Sequence, residues 1–209
     1  MSQNDIPKAT ARRLPLYQRA FNSLAEVEKE KVSSAELSEI LQIDSTTIRR
    51  DFSYFGALGR RGYGYDVSDM QKFFDQLMNS EEVVHVAIVG VGNLGEALLR
   101  ENSHSQDNIR MTAGFDIKDH LINTIREGIP IYSMEDLETQ LPKLGIKTAV
   151  LTVPNEHAQQ IADRLVDGGC RGILNFTSIP LSVPSHVLVH SVNLGNELKI
   201  LNYFMDNYQ

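Results

Sequence analysis

Gly90, Gly92 and Gly95 in the segment VHVAIVGVGNLGEALLR stand where an apolar run gives way to a helical pattern. In that setting the first glycine permits a tight turn and the second lets main chain approach a pyrophosphate. The third allows close helix–strand packing, and phosphate charge faces the helix N-terminus. Val91, Asn93 and Leu94 complete the candidate loop; Asn93 either turns its side chain to the loop backbone or stands exposed. The next apolar run, Met111 to Phe115, ends in Asp116, placed to bond the 2′-hydroxyl of an adenine ribose. An acid there repels a 2′-phosphate, so NAD(H) is favoured over NADP(H), while another adenine nucleotide fits the same spacing.

A second constellation lies upstream. On a helix from Thr46 to Phe55, Ile48, Phe52 and Phe55 share one face, and Thr46, Arg49, Arg50 and Ser53 share the opposite stripe, with Thr47 beside it. Arginine forks bond guanine O6 and N7 or phosphate, and Thr and Ser serve bases or backbone, which is the composition of a major-groove helix. A solvated charged face is the competing reading. Ser33 and Glu36 form a capping box that starts a helix from Ala35 to Leu41, and a turn from Ile43 to Ser45, capped by Asp44 or Ser45, completes a helix-turn-helix. Beyond it FGALGRRGYGY reads as a tight hairpin carrying Arg60 and Arg61, side chains suited to a narrow minor groove.

Catalytic groups are sparse. None of the seven tyrosines is followed four residues later by Lys, so one familiar dehydrogenase pair is missing. His157 in TVPNEH is the best-placed histidine, with helix-start capping or exposure as the alternative. His85 is expected to pack within a strand, Cys170 to be inert, and no histidine pair has zinc-ligand spacing. The expectation is no catalytic residue and no metal; an NAD-dependent oxidoreductase with an accessory helical domain is the alternative.

The elements that must position these groups follow from the rest of the chain. Its 209 residues suit one to two domains with a real core, at 42% hydrophobic and 22% charged. The net charge of −7 is uneven: residues 1–80 carry 11 basic and 11 acidic groups, residues 81–209 carry 9 and 16. Pro7 to Ala20 holds four cations and no acid, and Ser45 to Tyr65 holds Arg49, Arg50, Arg60 and Arg61 against Asp51 alone. One cysteine, no signal-peptide apolar block and no spanning run point to a cytoplasmic protein with no membrane partner.

Helices are expected over Ala9–Lys31, Ala35–Leu41, Thr46–Phe55 and Asp66–Met78. After a polar break the pattern alternates: strands at Val84–Val89, Met111–Phe115, Ile129–Tyr132, Thr148–Val153, Gly172–Phe176 and Val187–Val192, helices at Leu94–Glu101, Met134–Gln140 and His157–Asp167. The fold class is α/β: an N-terminal winged helix-turn-helix domain (1–79), a C-terminal Rossmann-type parallel sheet domain (80–192) and a terminal dimerisation helix (193–209). In that last helix Leu198, Ile200, Leu201, Tyr203, Phe204 and Met205 spread apolar groups around most of the circumference, which one protein surface cannot cover; burial in a homodimer is the natural solution.

IPKATARRLPLYQR, SSAELSEIL, DSTTIRRDFSYFGALGRRGYGYDV, VGVGNLGEALL, AGFD, LTVP and GILNFT together resemble the Rex family of redox-sensing transcriptional repressors over essentially the whole chain. The resemblance implies a homodimer that binds an inverted-repeat operator when NADH is scarce and releases it when NADH rises, controlling respiratory and fermentative genes. It places Arg49, Arg50, Arg60 and Arg61 at DNA-contacting positions and Gly90–Gly95 with Asp116 in the site for NADH or NAD. It also sets Thr152, Val153, Pro154, Asn175, Phe176 and Thr177 near the cofactor's distal half. Many family members carry Asp ahead of the last helix; here Asn193 stands there, a departure from an acid-dependent interdomain pairing with the Arg13 position.

Overall fold

The computed structural model describes residues 6–56, 58–59, 63–78, 82–102 and 108–207, and divides into two compact units, Met1–Glu81 and Glu82–Gln209. In the first unit α1 (Lys8–Ala11) and α2 (Leu14–Glu26) replace the single long helix expected from the pattern. Pro15 is the cause: it sits in the first turn of α2, where a missing N–H is tolerated, but its ring would meet the Ala11 carbonyl of a continuous helix. At the other end Glu28 takes a left-handed φ of 54°, and the chain leaves as β1 (Lys31–Val32) instead of running on as helix to Lys31.

The helix-turn-helix follows as α3 (Ser34–Leu41) and α4 (Ser45–Ser53). Both halves of the capping box form: the Glu36 N–H donates to Ser33 Oγ at 3.1 Å and the Ser33 N–H to Glu36 Oε2 at 2.8 Å. The Ser33 bonds, together with Lys29, hold the Glu36 carboxyl at a pKa of about 2, Lys29 contributing most. Of the two candidates for capping α4, Asp44 does so, accepting the Thr46 N–H at 2.8 Å. The segment after α4 rejoins as β2 (Tyr65–Asp66), antiparallel to β1, and α5 (Val67–Met78) closes the unit against α2. Ala57 and the two wing arginines, Arg60 and Arg61, lie outside the described residues. Tyr17, Phe21, Phe52 and Phe74 form the aromatic centre of this unit's core.

The second unit is a seven-stranded sheet in the order β5-β6-β4-β3-β7-β8-β9. Its strands are β3 (Val84–Val89), β4 (Ile109–Asp116), β5 (Ile125–Arg126), β6 (Ile129–Ser133), β7 (Thr148–Leu151), β8 (Gly172–Asn175) and β9 (Leu188–Ser191). All pairings are parallel except β5 with β6, a short hairpin whose first strand the sequence pattern does not reveal. The helices are α6 (Asn93–Asn102), α7 (Leu137–Lys143) after a 3-10 turn at Met134–Asp136, α8 (Asn155–Asp167) and α9 (Leu194–Asn207).

Successive residues of β3 serve opposite cores: Ala87 and Val89 pack on the face that holds α7 and α8, Val86 and Ile88 on the face that holds Leu99 of α6. His85 is not packed as expected. It is exposed near the start of β3, with Nδ1 2.8 Å from the Thr112 hydroxyl. Strand order reverses at β3, between neighbours β4 and β7, which is where open α/β sheets take ligands.

Candidate nucleotide and nucleic-acid sites

At the carboxyl ends of β3, β4 and β7 the chain forms a cleft of about 540 Å³ lined by Gly90, Gly92, Phe115, Asp116, Lys118 and Thr152, among others. Its three glycines differ. A Cβ on Gly95 would stand 2.2 Å from the Gly90 carbonyl oxygen, and one on Gly90, where φ is +94°, 2.8 Å from the Thr152 carbonyl oxygen. A Cβ on Gly92 would meet nothing within 4 Å. Gly90 and Gly95 are therefore required by the turn itself, and Gly92 keeps its backbone open toward the cleft, as close approach of a pyrophosphate requires.

Asp116 is where the glycine spacing places it, and the structure adds a task. Its carboxylate is only 6% exposed and accepts three main-chain N–H groups: Val91 at 2.7 Å on Oδ2, Ile117 at 2.8 Å and Lys118 at 2.9 Å on Oδ1. One buried anion thus fastens the glycine loop to the end of β4. A carboxylate has about four acceptor positions, so one remains for a ribose hydroxyl.

Thr152 makes the matching connection from β7, its hydroxyl donating to Val89 O at 3.0 Å and Gly90 O at 2.7 Å. Val153 and Pro154 also line the cleft, as does His157 from the first turn of α8. Asn93 and Leu94 are exposed at the start of α6.

The Asn175–Thr177 segment is tied together by its own side chains. Asn175 is fully buried, and its Oδ1 accepts both the N–H and the hydroxyl of Thr177, at 2.9 and 2.7 Å. These side chains close a turn on each other. Phe176 packs with the core beside α6, on the sheet face opposite the core that holds Val153. Sequence reasoning missed Arg164, which lines the cleft from α8 while donating to Glu138 at 2.5 and 2.7 Å and to the Met134 carbonyl at 2.6 Å. Nothing local announces a pair 26 residues apart.

In the first unit α4 presents Thr46, Arg49, Arg50 and Ser53 to solvent, with Thr47 half-buried at the edge of that stripe and Ile48 and Phe52 buried behind it. Arg49 is steadied by the Ser34 hydroxyl at 2.9 Å. Asp51, counted in the sequence only as the lone acid of a basic segment, is 2% exposed on the inner face of α4. It accepts the Thr10 hydroxyl at 2.8 Å, the Tyr17 hydroxyl at 2.5 Å and two bonds from Arg13. The signal was present in the periodicity: on the wheel Asp51 falls about 60° from Ile48, at the border of the apolar side and well away from the arginine stripe. Arg13 is thus engaged within its own unit, and Asn193 caps α9, its Oδ1 accepting the Asn196 N–H at 3.1 Å.

Among the described residues no helix is long and apolar enough to cross a membrane, and no group of three or more His, Cys, Asp or Glu could hold a metal ion. Burial pushes the Cys170 thiol up to about 11, which keeps it un-ionised at neutral pH.

A family profile described as "Putative DNA-binding protein N-terminus" matches residues 5–53, and one described as "CoA binding domain" matches residues 81–179. The chain is 52% identical over 208 residues to the redox-sensing transcriptional repressor Rex of Levilactobacillus brevis, covering 100% of this chain and 98% of that one. It superposes with a TM-score of 0.89, at 31% identity, on a solved structure of RSP in complex with β-NAD+ and operator DNA, covering 96% of this chain and 93% of that one. A structure of RSP in complex with β-NADH gives 0.86 at 29% identity, covering 97% and 95%. A nucleotide cleft and an arginine-bearing helix-turn-helix in one chain, with identity of this extent to named repressors, place it: the chain belongs to the Rex family of redox-sensing transcriptional repressors.

Proposed function

We propose that this protein is a cytoplasmic homodimer that binds a palindromic operator when NADH is scarce and leaves it when NADH accumulates, controlling genes of respiration and fermentation. The observation that carries the reading is the pairing, in one chain, of the solvent-facing stripe Thr46, Arg49, Arg50 and Ser53 with a cleft floored by Gly90, Gly92 and Asp116. Relatives solved with NADH and with NAD+ and operator DNA support it, as do relatives named as repressors and not as enzymes.

In this reading residues 1–79 hold DNA, through Thr46, Thr47, Arg49, Arg50, Ser53 and the wing arginines Arg60 and Arg61. Residues 80–192 hold the nucleotide. Asp116 orients the adenine ribose and, as a buried anion, disfavours a 2′-phosphate, while Gly92 and the start of α6 face the pyrophosphate. Thr152, Val153 and Pro154 border the remainder. When bound, the dinucleotide supplies a nicotinamide ring that is cationic when oxidised and neutral when reduced. A wall that includes Val153 desolvates the neutral form at lower cost. Residues 193–209 join two copies: α9 buries none of its own residues, and Leu198, Leu201, Tyr203 and Phe204 are between 48% and 63% exposed.

A redox switch requires that operator and NADH oppose each other reciprocally, each weakening the other by the same factor. Titrating NADH with and without saturating operator checks this. Equal affinities would leave a DNA-binding protein that carries a nucleotide without sensing it.

A further inference from the structure

Lys8 and Arg12 have no task in the reading above. They belong to the Pro7–Ala20 stretch of four cations and no acid, in a chain whose net charge is −7. Both are exposed, and neither has an ion-pair partner among the described residues. Four residues apart, Lys8 at the start of α1 and Arg12, which caps its end in helical geometry, share one face, roughly opposite the buried Thr10.

Thr10 fixes where that face lies. Its hydroxyl donates to Asp51 of α4 at 2.8 Å, and Arg13, the residue after Arg12, donates twice to the same carboxylate. Asp51 directly follows Arg50, and Thr47, four residues back, lies on the same flank of α4. The segment bearing Lys8 and Arg12 is therefore tied, through Asp51, to the helix whose outer stripe carries Arg49 and Arg50. An exposed cationic pair on a segment tied to that helix, with no acid in its own stretch, suits the phosphate backbone of a duplex held by α4.

We propose that Lys8 and Arg12 are phosphate-contacting residues that extend the DNA footprint beyond the helix-turn-helix, positioning the protein on the duplex without reading sequence. The proposal rests on the DNA-binding reading of α4. Each cation on a phosphate releases condensed counterions and steepens the dependence of affinity on salt by about 0.9 in the log–log slope.

The test uses the full-length protein and a labelled random-sequence duplex, titrated by fluorescence anisotropy over about 50–200 mM salt. Lys8→Gln with Arg12→Gln is expected to weaken binding and make the slope shallower by about one for each cation engaged. Lys8→Arg with Arg12→Lys should keep the wild-type slope, since charge and not packing is at issue. Arg49→Gln with Arg50→Gln reports on α4 independently. If that pair weakens binding while the Lys8 and Arg12 charge removal leaves affinity and slope at wild-type values, the proposal is overturned and the reading of α4 stands. If neither pair changes binding, both fail.

Discussion

Arg13 and Asp51, 38 residues apart, form a bidentate ion pair, with Nε to Oδ2 at 2.6 Å and Nη2 to Oδ1 at 2.7 Å. The Tyr17 and Thr10 hydroxyls fill the remaining acceptor positions, so α1 and α2 are bolted to α4 through one carboxylate. Burial alone would raise the Asp51 pKa, but the hydrogen bonds from Arg13, Tyr17 and Thr10 outweigh it and leave it below the ordinary value.

Asp51→Ala strands the donors of Arg13, Tyr17 and Thr10, and the expected loss is about 3 kcal/mol, at the low end for a broken buried pair because Arg13 keeps partial solvent access. Urea unfolding should show a lower midpoint at unchanged slope. Because the folded pKa is depressed, the Asp51 contribution is complete above the unfolded carboxylate value of about 3.9 and is lost as pH falls through the lower folded value. Asp51→Asn should therefore flatten the acid limb of the stability profile below about pH 4.

The glycine loop separates folding from binding. Gly92→Val adds a side chain where nothing lies within 4 Å, so the thermal midpoint should hold while NADH binding by calorimetry is lost. Gly95→Ala places Cβ 2.2 Å from the Gly90 carbonyl and should lower the midpoint as well as affinity. Full NADH affinity in the Gly92 variant would show that pyrophosphate does not approach that backbone.

Arg50→Ala should cost about 1–3 kcal/mol of operator affinity and relax discrimination at the base it reads. Its side chain faces solvent from α4, so circular dichroism and stability should match wild type. Measured against a permuted operator set, an unchanged base preference would assign Arg50 to phosphate instead.

Leu201→Asp with Phe204→Asp places charge on a helix none of whose residues is fully buried within its own chain. Light scattering should then report a monomer with an intact nucleotide fold, and operator affinity should fall because two half-sites are no longer engaged together. A dimer that survives both substitutions would move the interface elsewhere.

Local chemistry was legible in the chain alone. The Ser33–Glu36 box, the Gly90–Gly92–Gly95 turn and the alternation of apolar strands with helices each act within a few residues, so spacing determines them, and it narrowed the cap of α4 to Asp44 or Ser45. The exposed arginine stripe of α4 follows from the helical period in the same way. What only the tertiary structure decided are pairings across long separations and the sides of the sheet on which neighbours emerge. Asp51 became the anchor of α4 because α1 and α2 bring Thr10, Arg13 and Tyr17 to it, and Asp116 became the clasp of the glycine loop because β4 lies beside β3. Phe176 and Val153 read alike as apolar residues closing their strands, yet they pack on opposite faces of the sheet. Facing along a strand alternates with a period of two, and only the register of β7 and β8 sets which face each side chain takes.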